Sequence, residues 1–189
     1  VSNYQGSIDW QALKAQGIEF AYLRLGLRGY GEQGTLYTDR SFARYYEGAR
    51  AAGIDVGVYF FSQAVTVREA ADEALFALEL LNGRALDLPV YYDWEPVSAD
   101  DSRTAVYDGR YLTAGATAFC NIIEQGGYTA GVYLNRQQGY YRYDLRSLAG
   151  RSLWVADYAD YPDFYYAYDV WQYEHQARLD GVGEIVDLN

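Results

Sequence analysis

Histidine and cysteine are almost missing from this chain. There is one of each, His175 and Cys120, and no methionine at all. A lone cysteine excludes an internal disulfide and offers no metal-ligand spacing. A lone histidine leaves almost no raw material for zinc sites or for Ser-His and Cys-His catalysis. Long hydrophobic runs are missing too. The apolar tracts are broken by Gly, Asp or Arg and never approach the roughly 18 uninterrupted residues of a membrane span, so no membrane insertion is expected. Positive charge is scarce, with 15 Lys and Arg against 26 Asp and Glu and a formal net charge of −11. That sign repels phosphate backbones, which argues against a nucleic-acid partner and against simple electrostatic attachment to an anionic polymer. No signal-peptide pattern is present and Val1 is not an initiator residue, so the expectation is a piece processed or trimmed from something longer.

What is present is a foldable chain of 189 residues, half of them apolar, which fits one domain spanning 1–189. Its chemistry must run on carboxylates, tyrosines and arginines. Short β-rich runs alternate with helical patterns, the signature of an α/β fold with mostly parallel strands. Strands are expected at Phe20–Leu25, Asp55–Phe61, Pro89–Glu95, Ala130–Asn135, Ser152–Ala156, Val170–Tyr173 and Ile185–Asp187. A short helix is expected from Asp9 to Gln16 with Asp9 as N-cap, and another to Ala52, capped by Asp39 or Ser41 and stopped by Gly53. Thr66 with Glu69 forms a capping-box pattern, opening a helix whose stripe is Ala70, Ala74, Leu78 and Leu81. Asp108 is expected to open a helix to Gln125. Helices fade after the fourth of these strands, Ala130–Asn135. No phosphate-loop glycine pattern follows the first strand, so an irregular (β/α) barrel whose later strands lack helices fits better than a doubly wound sheet.

Barrel enzymes carry their sites at the carboxyl ends of the strands. Residues two apart share a strand face, so Tyr91, Asp93 and Glu95 point one way and Val90, Tyr92 and Trp94 the other. The apolar second set suits packing against helices, which sends the first set into the barrel. The same rule gathers Arg24, Tyr59, Phe61, Tyr133, Asn135 and Asp187 onto that interior; it leaves Trp171 and Gln172 unassigned. Asp93 and Glu95 have Cβ atoms roughly 6.5–7 Å apart by the rise of a strand, which brackets the carboxylate separations glycosidases use. Like-charge coupling raises one of the two, as general acid catalysis near neutral pH requires.

Each of these residues also has a plainer reading. Most Asp-x-Glu triplets are solvated or ion-paired surface groups; this one ends an apolar strand begun by Pro89 and is stopped by Pro96. Arg24 suits a structural ion pair as well as a substrate contact. Stacked Tyr and Phe fill a barrel core, and the same flat faces suit pyranose stacking. Asp187 suits a buried hydrogen bonder or a third catalytic carboxylate. His175 reads as a surface residue.

The chain also resembles glycoside hydrolase family 25, the Chalaropsis-type lysozymes. The resemblance runs through Val1-Ser2, Gln5-Gly6, Ile8-Asp9-Trp10, Gly17-Ile18-Glu19-Phe20, Arg24, Gly53-Ile54 and Gly57-Val58-Tyr59-Phe60-Phe61. It continues through the Pro89–Glu95 strand, Gly131-Val132-Tyr133-Leu134-Asn135, Leu153-Trp154-Val155-Ala156, Trp171-Gln172-Tyr173 and Val186-Asp187-Leu188-Asn189. It implies a modified barrel and a muramidase that cuts the β-1,4 bond from N-acetylmuramic acid to N-acetylglucosamine in peptidoglycan, and it implies no metal or organic cofactor. Glu95 then corresponds to the general acid, Asp93 to the residue assisting the acetamido group, and Asp187 to a supporting carboxylate. Tyr59, Phe61, Tyr91, Tyr133, Asn135 and Tyr158, with Arg24, are the expected sugar contacts. The implied partner is the peptidoglycan glycan strand, met by a monomer at the cell wall or outside the cell.

Two positions depart from the family pattern. The family carries an aspartate immediately before the Val-Ser pair, so the natural chain is expected to extend upstream and complete an eighth strand. Asp180 stands where the family often has proline, a loop change. Two rival functions remain: a non-catalytic peptidoglycan-binding barrel, which has no need of three carboxylates, and a chitinase-like hydrolase, which shares the Asp-x-Glu strand end.

Overall fold

The computed structural model describes residues 1–105 and 111–189. Its strands are β1 (Phe20–Arg28), β2 (Leu36–Thr38), β3 (Asp55–Ser62), β4 (Val90–Trp94), β5 (Ala130–Asn135), β6 (Ser152–Ala156), β7 (Val170–Gln172), β8 (Glu174–Ala177) and β9 (Val186–Leu188). Its helices are α1 (Trp10–Ala15), α2 (Phe42–Ala51), α3 (Val67–Leu81), α4 (Leu112–Gln125) and α5 (Arg136–Tyr141). All seven expected strands are present within a residue or a few of their expected bounds. β2, β8 and α5 were not expected, being too short to display a period. The expected cap Asp108 lies outside the described residues.

Local chemistry explains most helix starts. Asp9 opens α1 by accepting the Ala12 N–H at 3.0 Å. Asp39 and Ser41 divide the work at α2: Ser41 occupies the cap position without a side-chain bond, while the Asp39 carboxylate accepts the Ser41 N–H at 2.8 Å. At α3 only half of the expected capping box forms. Thr66 accepts the Glu69 N–H at 3.2 Å, but the Glu69 carboxylate turns to the Val65 N–H at 2.8 Å and to Arg103 at 2.6 Å. The reciprocal bond gives way to a charge-assisted one.

Seven strands form one sheet in the order β2-β1-β3-β4-β5-β6-β7, parallel throughout except for antiparallel β2 at the edge. β8 and β9 make a separate antiparallel pair, joined to the end of β7 by the Tyr173 N–H to Leu188 carbonyl bond of 3.0 Å. Helices are expected to fade after Ala130–Asn135; the short α5 still separates β5 from β6, and from β6 onward no helix separates consecutive strands.

Ring contacts reveal how strongly the sheet curls. β1 and β6 stand four strands apart, about 19 Å if the sheet were flat. Yet the rings of Tyr22 on β1 and Trp154 on β6 stack with centroids 4.7 Å apart. The sheet therefore wraps around an interior filled by Tyr22, Tyr91, Tyr133, Trp154 and Ala156. The opposite faces of the strands carry Val58, Phe60, Val90, Tyr92 and Trp94 into a larger core shared with the helices, where Tyr92 meets Phe119 of α4 at 5.1 Å. The alternation along β4 follows the expected pattern. Cys120 belongs to this outer core, and burial pushes its thiol up to about 12; it is a packing residue.

Candidate active site

Inside the curl lies a cavity of about 590 Å³, lined by the late residues of β3, β4 and β5 and by β9, and continuing down beside β1 to Phe20. Each strand brings its side chain there by the same alternation that buries its other face in the outer core. Asp93 and Glu95 sit together at the end of β4, Asp93 buried and Glu95 half-buried. Asp187 faces them from β9, Tyr59 and Phe61 come from β3, and Tyr133 comes from β5, where it is the register partner of Asp93.

The electrostatics follow from this crowding. Asp93 and Glu95 act directly on each other's charge at the end of β4, so a proton on either one relieves the repulsion. Burial drives Asp93 well above the usual carboxylate range, and the Glu95 charge adds to it against the pull of Arg24. Burial also raises Glu95, helped by the charge of Asp187, and burial raises Asp187 itself. Asp93 Oδ1 is buried and receives no hydrogen bond from a protein donor. The result is a mutually repelling carboxyl pair with a third carboxylate opposite it, in a space large enough for a ligand. The tyrosines complement it: burial holds Tyr59 and Tyr133 far above the usual phenol range, so both remain neutral hydrogen-bond donors.

Tyr158 also lines the cavity, from the loop after β6. Its hydroxyl donates to Gln172 Oε1 at 2.7 Å, and Tyr133 donates to the same oxygen at 2.9 Å. Gln172 of β7 is thus an inward residue, while Trp171 donates its indole N–H to the Asp157 carbonyl at 2.7 Å. His175 is an exposed residue, as expected, and its ring lies 4.3 Å from that of Tyr158.

Three expected contacts are placed differently from the others. Arg24 reaches the cavity wall, but its Nε donates to Asp39 Oδ2 at 2.9 Å and its Nη2 to Asn3, leaving it bound in a buried ion pair. Tyr91 is fully buried, one side-chain layer below Asp93, with its hydroxyl 2.7 Å from Ser152 Oγ, and it lies outside the cavity lining. Asn135 is outside the cavity lining because α5 begins directly after β5. Its Oδ1 accepts the Gln138 N–H at 2.9 Å and the Gln138 side chain returns to the Asn135 N–H at 2.9 Å, a complete capping box. Asp39, Trp154 and Gln172 are the cavity-shaping residues that sequence reasoning missed. A signal existed for Asp39, since a buried arginine demands a carboxylate.

Comparison with known proteins places this geometry in a family. The family model for glycosyl hydrolases family 25 matches residues 1–182. An autolytic lysozyme of Clostridium acetobutylicum is 26% identical over 187 residues, covering 98% of this chain and 52% of the relative. Lysozyme M1 of Streptomyces globisporus is 27% identical over 205 residues, covering 100% of this chain and 65% of the relative. The chain thus spans between half and two thirds of the length of these curated relatives. Among solved structures, the modular autolysin LytC from Streptococcus pneumoniae, in complex with a synthetic peptidoglycan ligand, superposes with a TM-score of 0.85 at 24% identity, over 99% of this chain and 44% of that one. The bacterial lysozyme from Streptomyces coelicolor gives a TM-score of 0.76 at 23% identity, over 99% of this chain and 87% of that one. At these identities the two structures carry the fold alone. With its model matched from the first residue through Val182, the chain belongs to glycosyl hydrolases family 25.

Proposed function

We propose that this chain is a muramidase, hydrolysing the β-1,4 bond between N-acetylmuramic acid and N-acetylglucosamine in peptidoglycan, with Glu95 as general acid. The observation that carries this reading is the pair of carboxyls, Asp93 and Glu95, at one strand end inside a ligand-sized cavity with Asp187 opposite. In the free site burial raises both carboxyls, so the pair as a whole holds on to a proton. With substrate bound, the tautomer carrying it on Glu95 leaves Asp93 as the anion. Glu95 then protonates the leaving glycosidic oxygen while the C1–O bond breaks. The acetamido carbonyl oxygen of the same sugar closes on C1, and Asp93 accepts the acetamido N–H and balances the positive charge of that ring. Water next adds to C1, giving its proton to the Glu95 carboxylate, and the acetamido group is restored. Asp187 contributes negative potential that favours the cationic stage.

Tyr59, Phe61, Tyr133 and Tyr158 offer ring faces and hydroxyl donors to the sugars. The partner in this reading is the glycan strand, met by a monomer at the cell wall. Relatives described as autolysins, endolysins and lysozymes support that location, and no described helix is long and apolar enough to cross a membrane. The test is Glu95→Gln. Fold and glycan binding are expected to persist while turnover drops by about 10²-fold or more, the scale of lost general acid catalysis. Near wild-type turnover in a well-folded Glu95→Gln protein would refute the assignment.

A further inference from the structure

Glu95 stands one residue beyond the last residue of β4, where the ladder that fixes the strand gives out. Pairing with β5 ends at Asp93↔Tyr133 and pairing with β3 at Ser62↔Trp94. A loop residue left to itself would not hold a carboxyl group against Asp93. Yet both peptide units flanking the Glu95 Cα are tied down by buried side chains. On one side Gln138 Nε2 of α5 donates to the Trp94 carbonyl at 3.0 Å. On the other, Gln63 Nε2, from the turn after β3, donates to the Glu95 carbonyl at 3.1 Å. The Thr104 hydroxyl lies 2.9 Å from that same carbonyl and 3.0 Å from Gln63 Oε1.

These are expensive groups to bury. Gln63 is 0% exposed, Thr104 1% and Gln138 4%, and an amide left unbonded at such depth would be strongly destabilising. The two glutamines approach from opposite neighbours of β4 in the barrel. Each is itself anchored, Gln138 by the capping box with Asn135 and Gln63 by Thr104. Arg103, bonded to Glu69 at 2.6 Å, closes the turn that carries Thr104.

We infer that Gln63 and Gln138 are positioning residues for the acid: a pair of buried amides that clasps the backbone on both sides of Glu95 and aims its carboxyl at Asp93 and at the leaving oxygen. The inference rests on the reading of Glu95 as the acid. It explains why a catalytic group can sit on irregular backbone and still be held to the tolerance that catalysis demands. The other charged and titratable groups facing the pair are the Val1 α-amino group, Arg24 on β1, Tyr59 on β3, Tyr133 on β5, Tyr158 after β6, Asp187 on β9 and Tyr30 after β1. None is altered by the test below.

The test replaces each glutamine by methionine, which keeps length and removes the donor. Two readouts are taken on Gln63→Met, Gln138→Met and the double variant. Carboxyl carbon NMR follows the titration of Asp93 and Glu95, and steady-state kinetics on solubilised peptidoglycan separates kcat from KM. Loosened backbone lets the two carboxyls part, so the upper titration midpoint is expected to move down in each variant. Turnover is expected to fall about 10-fold per single change and about 10²-fold in the double variant, with KM held within about twofold. Thr104→Val, a smaller change, is expected to shift both readouts the same way by less, and decides the matter if a methionine variant does not fold. Folded variants with an unmoved titration would overturn the inference, as would a rise in KM at unchanged kcat. Failure of the acid reading is distinguishable, because it appears as retained turnover in Glu95→Gln whatever the titration does in the glutamine variants.

Discussion

Trp154 is the residue on which the barrel interior turns, and its removal gives the sharpest stability test. The indole is 6% exposed and meets four other rings: Tyr22 at 4.7 Å, Tyr133 at 4.9 Å, Tyr91 at 5.3 Å and Tyr59 at 6.1 Å between centroids. Its Nε1 donates to Asn189 Oδ1 at 2.8 Å. Truncating a buried aromatic to alanine costs about 3–5 kcal/mol. Well-placed ring pairs contribute about 0.5–1.5 kcal/mol each beyond their buried area, which puts Trp154→Ala at the top of that range, about 5 kcal/mol. At roughly 2–4 °C per kcal/mol for a chain of this size, the melting temperature falls by about 10–20 °C. Trp154→Phe keeps most of the ring contacts and loses the indole donor, a cost of about 1–2 kcal/mol. Urea unfolding followed by circular dichroism measures both, provided the slopes agree with wild type. A Trp154→Ala protein within about 1 kcal/mol of wild type would refute the reasoning, because the rings would then not be what joins β1 to β6. So would a phenylalanine variant as unstable as the alanine one.

Two further perturbations bear on the site. Arg24→Met leaves Asp39 buried without its cation, although Asp39 still accepts the Asn3 N–H at 3.0 Å and the Ser41 N–H at 2.8 Å; a loss of about 3–5 kcal/mol is expected, and a change confined to KM with unaltered stability would instead make Arg24 a substrate contact. The Asp93 pair sets a pH dependence of definite sign. Its folded-state pKa lies well above the ordinary value of 3.8, so as pH rises past that value the unfolded chain loses a proton that the folded protein keeps, and stability drains away until the folded-state pKa is passed. Asp93→Asn is free of this loss. Melting curves between pH 4 and 8 are therefore expected to show the variant gaining on wild type as pH rises, and a gap that stays constant or narrows contradicts the raised pKa.

Much of the site was legible in the sequence because strand alternation is a strict geometric rule. Once Pro89–Glu95 reads as a strand with Val90, Tyr92 and Trp94 outward, Asp93 must point inward. β5 and β6 occupy their expected bounds because Gly126-Gly127 and Gly150 punctuate the chain on the side where each begins. Where the rule failed, the cause was local. Asn135 is inward by alternation, but α5 starts at the next residue and takes the side chain as its cap. Tyr91 shares a face with Asp93 but lies a layer deeper, and alternation gives the side without the depth. Gln172 escaped because β7 has three residues, too few to display a period. Asp39 and Gln63 lie outside the expected strands, and they reach the site through contacts between distant segments that a pattern along one strand cannot reveal.

The central claim is the bond that is cut. Purified peptidoglycan is digested with the protein, the fragments are reduced with borohydride, and mass spectrometry identifies which sugar carries the new reducing end. A muramidase is expected to release disaccharide-peptides ending in reduced N-acetylmuramic acid, with Glu95→Gln releasing about 10²-fold less in the same time. Fragments ending in reduced N-acetylglucosamine, or chitin oligomers cleaved in preference to peptidoglycan, would contradict the account.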